Sequence, residues 1–188
     1  MMIKTLLSKG AAELRELLDS VAKLDGPLER LGEAMLACWD KRGKVMTAGN
    51  GGSAADAMHL AEELCVRFNK NRRALAAMAL CDPTILTCAA NDFGFEAVFS
   101  RQIEAFGNPG DVFIAMTTSG NSANIIRAVE AAKSRGLVTV AFLGKNGGKL
   151  RGKCDIELLI PSPTTARVQE CHKLLYHVLC EWIESKVE

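Results

Sequence analysis

The stretch Lys44-Val45-Met46-Thr47-Ala48-Gly49-Asn50-Gly51-Gly52-Ser53-Ala54-Ala55-Asp56-Ala57-Met58-His59-Leu60-Ala61-Glu62-Glu63 joins three kinds of segment in a row. A short apolar run reads as a strand, four residues rich in glycine read as a tight turn, and an alanine-rich segment reads as a helix. A strand feeding a glycine turn and a helix N-terminus suits an anionic ligand, because the free backbone N–H groups there point one way. Four residues apart on that helix, His59 and Glu63 project from one face. One segment thus carries an anion-compatible turn and a candidate base or metal pair.

Outward from it, apolar runs recur at 44–48, 75–80, 112–117, 137–143 and 156–160. Helical patterns fill 54–67, 84–106, 123–135, 146–151 and 165–186. Runs that are apolar throughout fit parallel strands buried on both faces. The pattern predicts an α/β fold with a five-stranded parallel, doubly wound sheet. Upstream, residues 3–24 and 28–40 read as two helices separated by Gly26-Pro27. Helices ahead of the first strand are not crossovers, so they either cover the sheet or pack on a neighbouring subunit. The expected organisation is a single domain over 1–188, with N-terminal helices over 1–42 and an α/β core over 43–188.

Composition narrows the function classes. The 188 residues carry 23 basic and 22 acidic side chains, and 48% are hydrophobic. A net charge of +1 argues against nucleic acid or a membrane surface as a partner recruited by bulk charge. The seven cysteines are scattered, odd in number and without a C-x-x-C pair, so they read as reduced, mostly buried thiols. No apolar run at the N-terminus has signal-peptide or membrane-span length, and a cytoplasmic location is expected.

Thr117-Thr118-Ser119-Gly120-Asn121-Ser122 follows the third strand and opens a helix. Five short hydroxyl or amide side chains there can surround a phosphate with neutral donors, with one of them, Asn121 or Ser122, capping the helix. Gly49-Asn50-Gly51-Gly52-Ser53-Ala54 also fits the dinucleotide fingerprint G-x-G-x-x-[GA]. That fingerprint wants an acidic residue about 20 positions on, where Asn69-Lys70 stand, so a nicotinamide dehydrogenase is disfavoured. The last helix adds Gln169, Glu170, His172 and His177. With His59 and Glu63 these supply the donors of a zinc-type site.

Several stretches resemble the sugar isomerase (SIS) domain family: Gly49–Ser53, Asp56–Leu64, Asn91–Phe95, Gly110–Val112, Thr118–Ser122, and Gln169-Glu170 with His177. The resemblance runs in order over nearly the whole chain. Within the family it points to members that convert sedoheptulose 7-phosphate to D-glycero-D-manno-heptose 7-phosphate through an enediol(ate). It implies a flavodoxin-like SIS fold and a cytoplasmic homotetramer with one Zn2+ per subunit. The product would enter ADP-heptose and lipopolysaccharide core synthesis. His59, Glu63, Gln169 and His177 then correspond to the metal ligands, Glu63 to the base and His177 to the acid. Asn50, Gly51, Gly52, Ser53, Glu63, Asn91, Asp92, Thr117, Thr118, Ser119, Ser122 and Gln169 correspond to substrate-binding positions. Thr117 stands where some members have serine, and Ala166 where some have aspartate.

Gln169 and His177 are eight residues apart, ~12 Å along a straight helix. One ion cannot readily take both from such a helix. Either the site lies between subunits or Gln169 precedes the regular helix. The rival function is a non-catalytic SIS protein that binds the bacterial replication initiator, in which the metal and base positions are typically degraded. His59, Glu63 and His177 are all present here, which favours the enzyme.

Overall fold

The structure, a computed structural model, describes residues 2–187. The first strand, β1 (Val45–Gly49), is buried at every position. β2 (Ala77–Ala79) pairs with one edge of β1 and β3 (Val112–Thr117) with the other. β4 (Val138–Gly144) and β5 (Ile156–Ile160) continue the sheet. All pairings are parallel, in the order β2-β1-β3-β4-β5. The seven α-helices among the described residues are α1 (Ile3–Ala22), α2 (Asp25–Asp40), α3 (Gly52–Cys65), α4 (Pro83–Phe93), α5 (Ser100–Phe106), α6 (Ala123–Ser134) and α7 (Thr165–Glu184).

Side-chain alternation divides the core into two layers. Val112, Ile114 and Met116 of β3 face a cluster with Leu31 and Met35 of α2, Leu60 and Leu64 of α3, and Leu175 and Leu179 of α7. Phe113 and Ala115 face the opposite cluster, with Ala89 of α4, Ile103 of α5, and Ile125 and Val129 of α6. Helices therefore cover both faces, as a doubly wound sheet requires. The order in which the chain adds strands reverses between β1 and β3, so the loops after these two strands part there and leave a crevice.

Several boundaries differ from expectation. Gly26-Pro27 does not interrupt the N-terminal helices. The break falls at Lys23-Leu24, and Pro27 sits in the first turn of α2, where an N–H has no intrahelical partner to lose. The helix expected over 84–106 is split by Gly94 at φ 85°, a conformation suited to glycine. Residues 146–151 form only a 3-10 turn at Gly148–Leu150. The seven cysteines are free, yet only Cys38, Cys171 and Cys180 are buried, while Cys65 and Cys88 are exposed.

The two N-terminal helices have different roles. α2 buries Leu31, Met35, Cys38 and Trp39 and covers the sheet. α1 buries only Val21 and leaves Ile3, Leu6 and Leu7 exposed.

Candidate active site

The turn between β1 and α3 is shaped by what its glycines lack. A Cβ at Gly49 would run into the Ser53 carbonyl, and Gly51 adopts φ 56°, ψ −122°, which side-chain-bearing residues avoid. α7 comes so near that a Cβ at Gly52 would strike the Gln169 amide. Gln169 Nε2 lies 3.5 Å from Ser53 Oγ as its donor.

Nearly two turns further along α3, His59 Nε2 is 2.9 Å from Glu63 Oε1, the i,i+4 pair expected. α7 lays His177 against them, its ring 5.2 Å from that of His59, edge to face. His59, Glu63 and His177 each offer a ligand atom, all within 4.8 Å of one another. The Nε2 of His177 is buried and has no hydrogen-bond partner. Burial lowers the His177 pKa below the ordinary imidazole value, with His59 adding to the effect. The ring is therefore neutral near pH 7, the form that ligates a metal or relays a proton.

Four residues outside the expected set surround this group. Tyr176 Oη lies 3.0 Å from His59 Nδ1. Lys173 Nζ is 3.4 Å from the same nitrogen and 3.5 Å from Asp56 Oδ1. Burial raises the Asp56 carboxyl, opposed by the Lys173 ammonium. Asp56 precedes His59 by three residues and Lys173 precedes His177 by four, so helical spacing alone places them beside the pair. Phe68 stacks on the His177 ring at 5.4 Å and closes the other side.

The loop after β3 keeps its donors available. Thr117 Oγ1 accepts from Gly120 N at 3.2 Å, and Ser119 Oγ accepts from Asn121 N at 3.2 Å. Each hydroxyl, used as an acceptor, retains its proton to donate. Thr118 and Ser122 are half-buried at the crevice. The expected side-chain cap is not made. Ser122 occupies the N-cap of α6 without a capping bond, and the Asn121 amide turns to the Ser119 carbonyl and Lys149 N. Asn50, in the turn after β1, is paired instead with Asn124 of α6.

Other expected residues stand apart. Asn91 and Asp92 are exposed near the end of α4 and bond to each other at 2.7 Å. His172 points into the core, its Nε2 3.1 Å from the Leu143 carbonyl, and Glu170 pairs with Arg167. Gln169 lies within regular α7, so the idea that it precedes the helix is corrected. It serves Ser53, about two turns from His177, because side chains eight positions apart on one helix stay ~12 Å apart in height.

The SIS domain family profile matches residues 11–144. The phosphoheptose isomerase of Fusobacterium nucleatum is 52% identical over 83% of this chain and 80% of its own length. That of Paramagnetospirillum magneticum is 48% identical over 98% and 97%. The structure of phosphoheptose isomerase from Neisseria gonorrhoeae superposes with a TM-score of 0.91 at 41% identity, covering 98% of this chain and all of that one. The likeness spans the sheet, both helical layers and the α3–α7 contact that brings His59, Glu63 and His177 together, and the chain belongs to the SIS domain family, among the phosphoheptose isomerases.

Proposed function

We propose that the protein isomerises sedoheptulose 7-phosphate to D-glycero-D-manno-heptose 7-phosphate. The observation that carries this reading is the convergence of His59 and Glu63 of α3 with His177 of α7 into one donor group, on the helix that opens at the glycine turn after β1. A non-catalytic binding module has no need of that convergence and is not favoured.

The donor set fits a zinc ion. Two imidazoles and a carboxylate within 4.8 Å match a divalent site, and the orphaned Nε2 of His177 has an open lone pair for it. His59, Glu63 and His177 would hold the ion, with Gln169 completing the set from a neighbouring subunit. When bound, zinc supplies Lewis-acid polarisation of the sugar carbonyl.

The residues then divide the work. Glu63 takes the proton from C1 of the ketose and returns it to C2, through an enediol(ate) of the sugar. Its Oε1 engages His59, which leaves Oε2 for the carbon-bound proton. His177, neutral by burial, passes the proton from the C1 oxygen to the C2 oxygen, so no proton is gained or lost overall. Thr117, Thr118, Ser119 and Ser122 donate to the phosphate, and the N-terminus of α6 favours its charge. Asn50, Gly51, Gly52 and Ser53 line the sugar, with Asn91 and Asp92 reaching it across a subunit boundary.

That boundary belongs to the reading. A homotetramer is supported by the exposed Ile3, Leu6 and Leu7 of α1 and the exposed Leu174 and Val178 of α7. Residues 1–188 then act as one domain, with α1 at the interface. Among the described residues no helix is long and apolar enough to cross a membrane. On this reading the enzyme works in the cytoplasm, at the first step of ADP-heptose and lipopolysaccharide core heptose synthesis.

The test is turnover of sedoheptulose 7-phosphate by purified protein, with and without Zn2+, beside Glu63→Gln. Metal-dependent turnover that drops by roughly a hundredfold or more in the variant supports the assignment. An inactive wild type with zinc bound and its assembly intact would overturn it.

A further inference from the structure

Asn50 and Asn124 lie 74 positions apart in sequence yet bond to each other twice. Asn50 Nδ2 donates to Asn124 Oδ1 at 2.9 Å, and Asn124 Nδ2 donates back to Asn50 Oδ1 at 2.9 Å. Asn50 opens the turn after β1, and Asn124 lies in the first turn of α6, just beyond the Thr117–Ser122 loop. The pair therefore bridges the two loops that part between β1 and β3, where a doubly wound sheet opens its crevice. Asn124 is 3% exposed, and Asn50 is half-buried.

Resting on the phosphosugar reading above, we propose that Asn124 is a positioning residue, locked to Asn50 so that the two loops hold a fixed spacing around a phosphorylated ligand. Two observations carry the argument beyond a generic core contact. A reciprocal amide pair satisfies a donor and an acceptor on both sides without placing charge beside an anion site, which an Asp or Lys pair would do. The far side of the Thr117–Ser122 loop is braced as well. Leu150 N donates to the Gly120 carbonyl at 3.2 Å and Lys149 N to Asn121 Oδ1 at 3.1 Å, while Gly120 leaves no room for a side chain against the Gly147 carbonyl. A loop held from both sides is preorganised, and its ligand need not order it on binding. Asn50 then acts chiefly through this lock, with its amide oriented by Asn124.

The experiment compares wild type, Asn124→Ala, Asn50→Ala and the double variant. Measurements are the Kd for inorganic phosphate, KM and kcat for sedoheptulose 7-phosphate, and the Kd for Zn2+. The expected result is a rise of roughly tenfold in phosphate Kd and in KM, the size of one or two lost polar contacts. In Asn124→Ala, kcat and Zn2+ affinity stay near wild type, because neither the His59 group nor a residue lining the sugar is touched. The double variant falls where Asn50→Ala does, since Asn124 has nothing left to position once the Asn50 amide is gone. Wild-type phosphate affinity in Asn124→Ala, or multiplying effects in the double variant, would overturn the proposal. So would a wild type that binds no phosphate. Should Asn124→Ala fail to fold, the Asn124 side-chain amide protons are read by hydrogen exchange. Protection in wild type that is lost in Asn50→Ala supports the lock, and free exchange in wild type refutes it. Phosphate separates the two readings: a wild type that binds phosphate without turning over the sugar refutes the isomerase and leaves the lock to its affinities.

Discussion

His172 and His177 sit on one helix, five residues apart, and their surroundings give them different roles. His172 is fully buried with Nε2 on the Leu143 carbonyl and no partner for Nδ1. Burial drives its pKa down from the ordinary imidazole value to about 4. In the unfolded chain it takes a proton near pH 6.5, whereas the folded chain refuses one until about pH 4. Stability is therefore complete above pH 6.5 and falls as pH is lowered from there to about 4, by up to roughly 3 kcal/mol. Urea unfolding at pH 7 and pH 5 reads the fall, and His172→Leu flattens that part of the profile. Tyr176 is the corresponding test on the site. Its hydroxyl meets the His59 nitrogen opposite the one facing Glu63, which holds the ring's orientation. Tyr176→Phe is expected to weaken Zn2+ binding by roughly 10- to 100-fold in a chelator competition.

At the scale of elements, the segment after α3 is held by the end of α7. The Glu184 carboxylate accepts from Phe68 N at 2.9 Å, from Asn69 N at 3.0 Å and from Lys70 N at 3.0 Å. The Arg72 guanidinium, 3.6 Å from Glu184, donates to the Glu63 and Leu64 carbonyls at 2.6 and 2.8 Å. Those carbonyls are among the last of α3, which the helix itself leaves unsatisfied. One buried ion pair thus ends α3 behind Glu63 and sets Phe68 against His177. Glu184→Ala strands the Arg72 charge and three backbone donors, and about 3 kcal/mol of stability should go with it in chemical denaturation. The loss of Phe68 stacking should appear as a shifted His177 ring resonance in the same variant.

For the whole molecule, the faces left uncovered matter most. α1 packs on α7 yet presents Ile3, Leu6 and Leu7 to solvent. Burying such side chains stabilises by about 1.5–3 kcal/mol each, so a partner surface is favoured over water. Light scattering is expected to find a tetramer, and Leu6→Glu combined with Leu7→Glu to shift it to smaller species with lost turnover. A double variant that stays tetrameric and active removes α1 from the interface. Zinc should raise the midpoint of thermal unfolding in a concentration-dependent way, because only the folded chain brings His59, Glu63 and His177 together.

By itself, the sequence determined the parallel sheet, the α3 and α7 assignments and the His59–Glu63 pair, because these rest on local periodicity and on spacing within one helix. Apolar runs such as Val112–Thr117 can be buried on both faces only in a parallel sheet, and residues four apart on a helix must share a side. Where the signal was local but ambiguous, as at Gly26-Pro27, the first turn of a helix accommodated residues that would break its middle. Tertiary structure alone decided which side chains meet across distant segments. Tyr176 on His59, Glu184 under Phe68 and Asn124 against Asn50 join residues 74 to 117 positions apart, and no local period records them. It also set Gln169 against Ser53 and turned His172 inward, since the register of α7 against the sheet, set by the burial of Leu175 and Leu179, fixes which way every other side chain on that helix points.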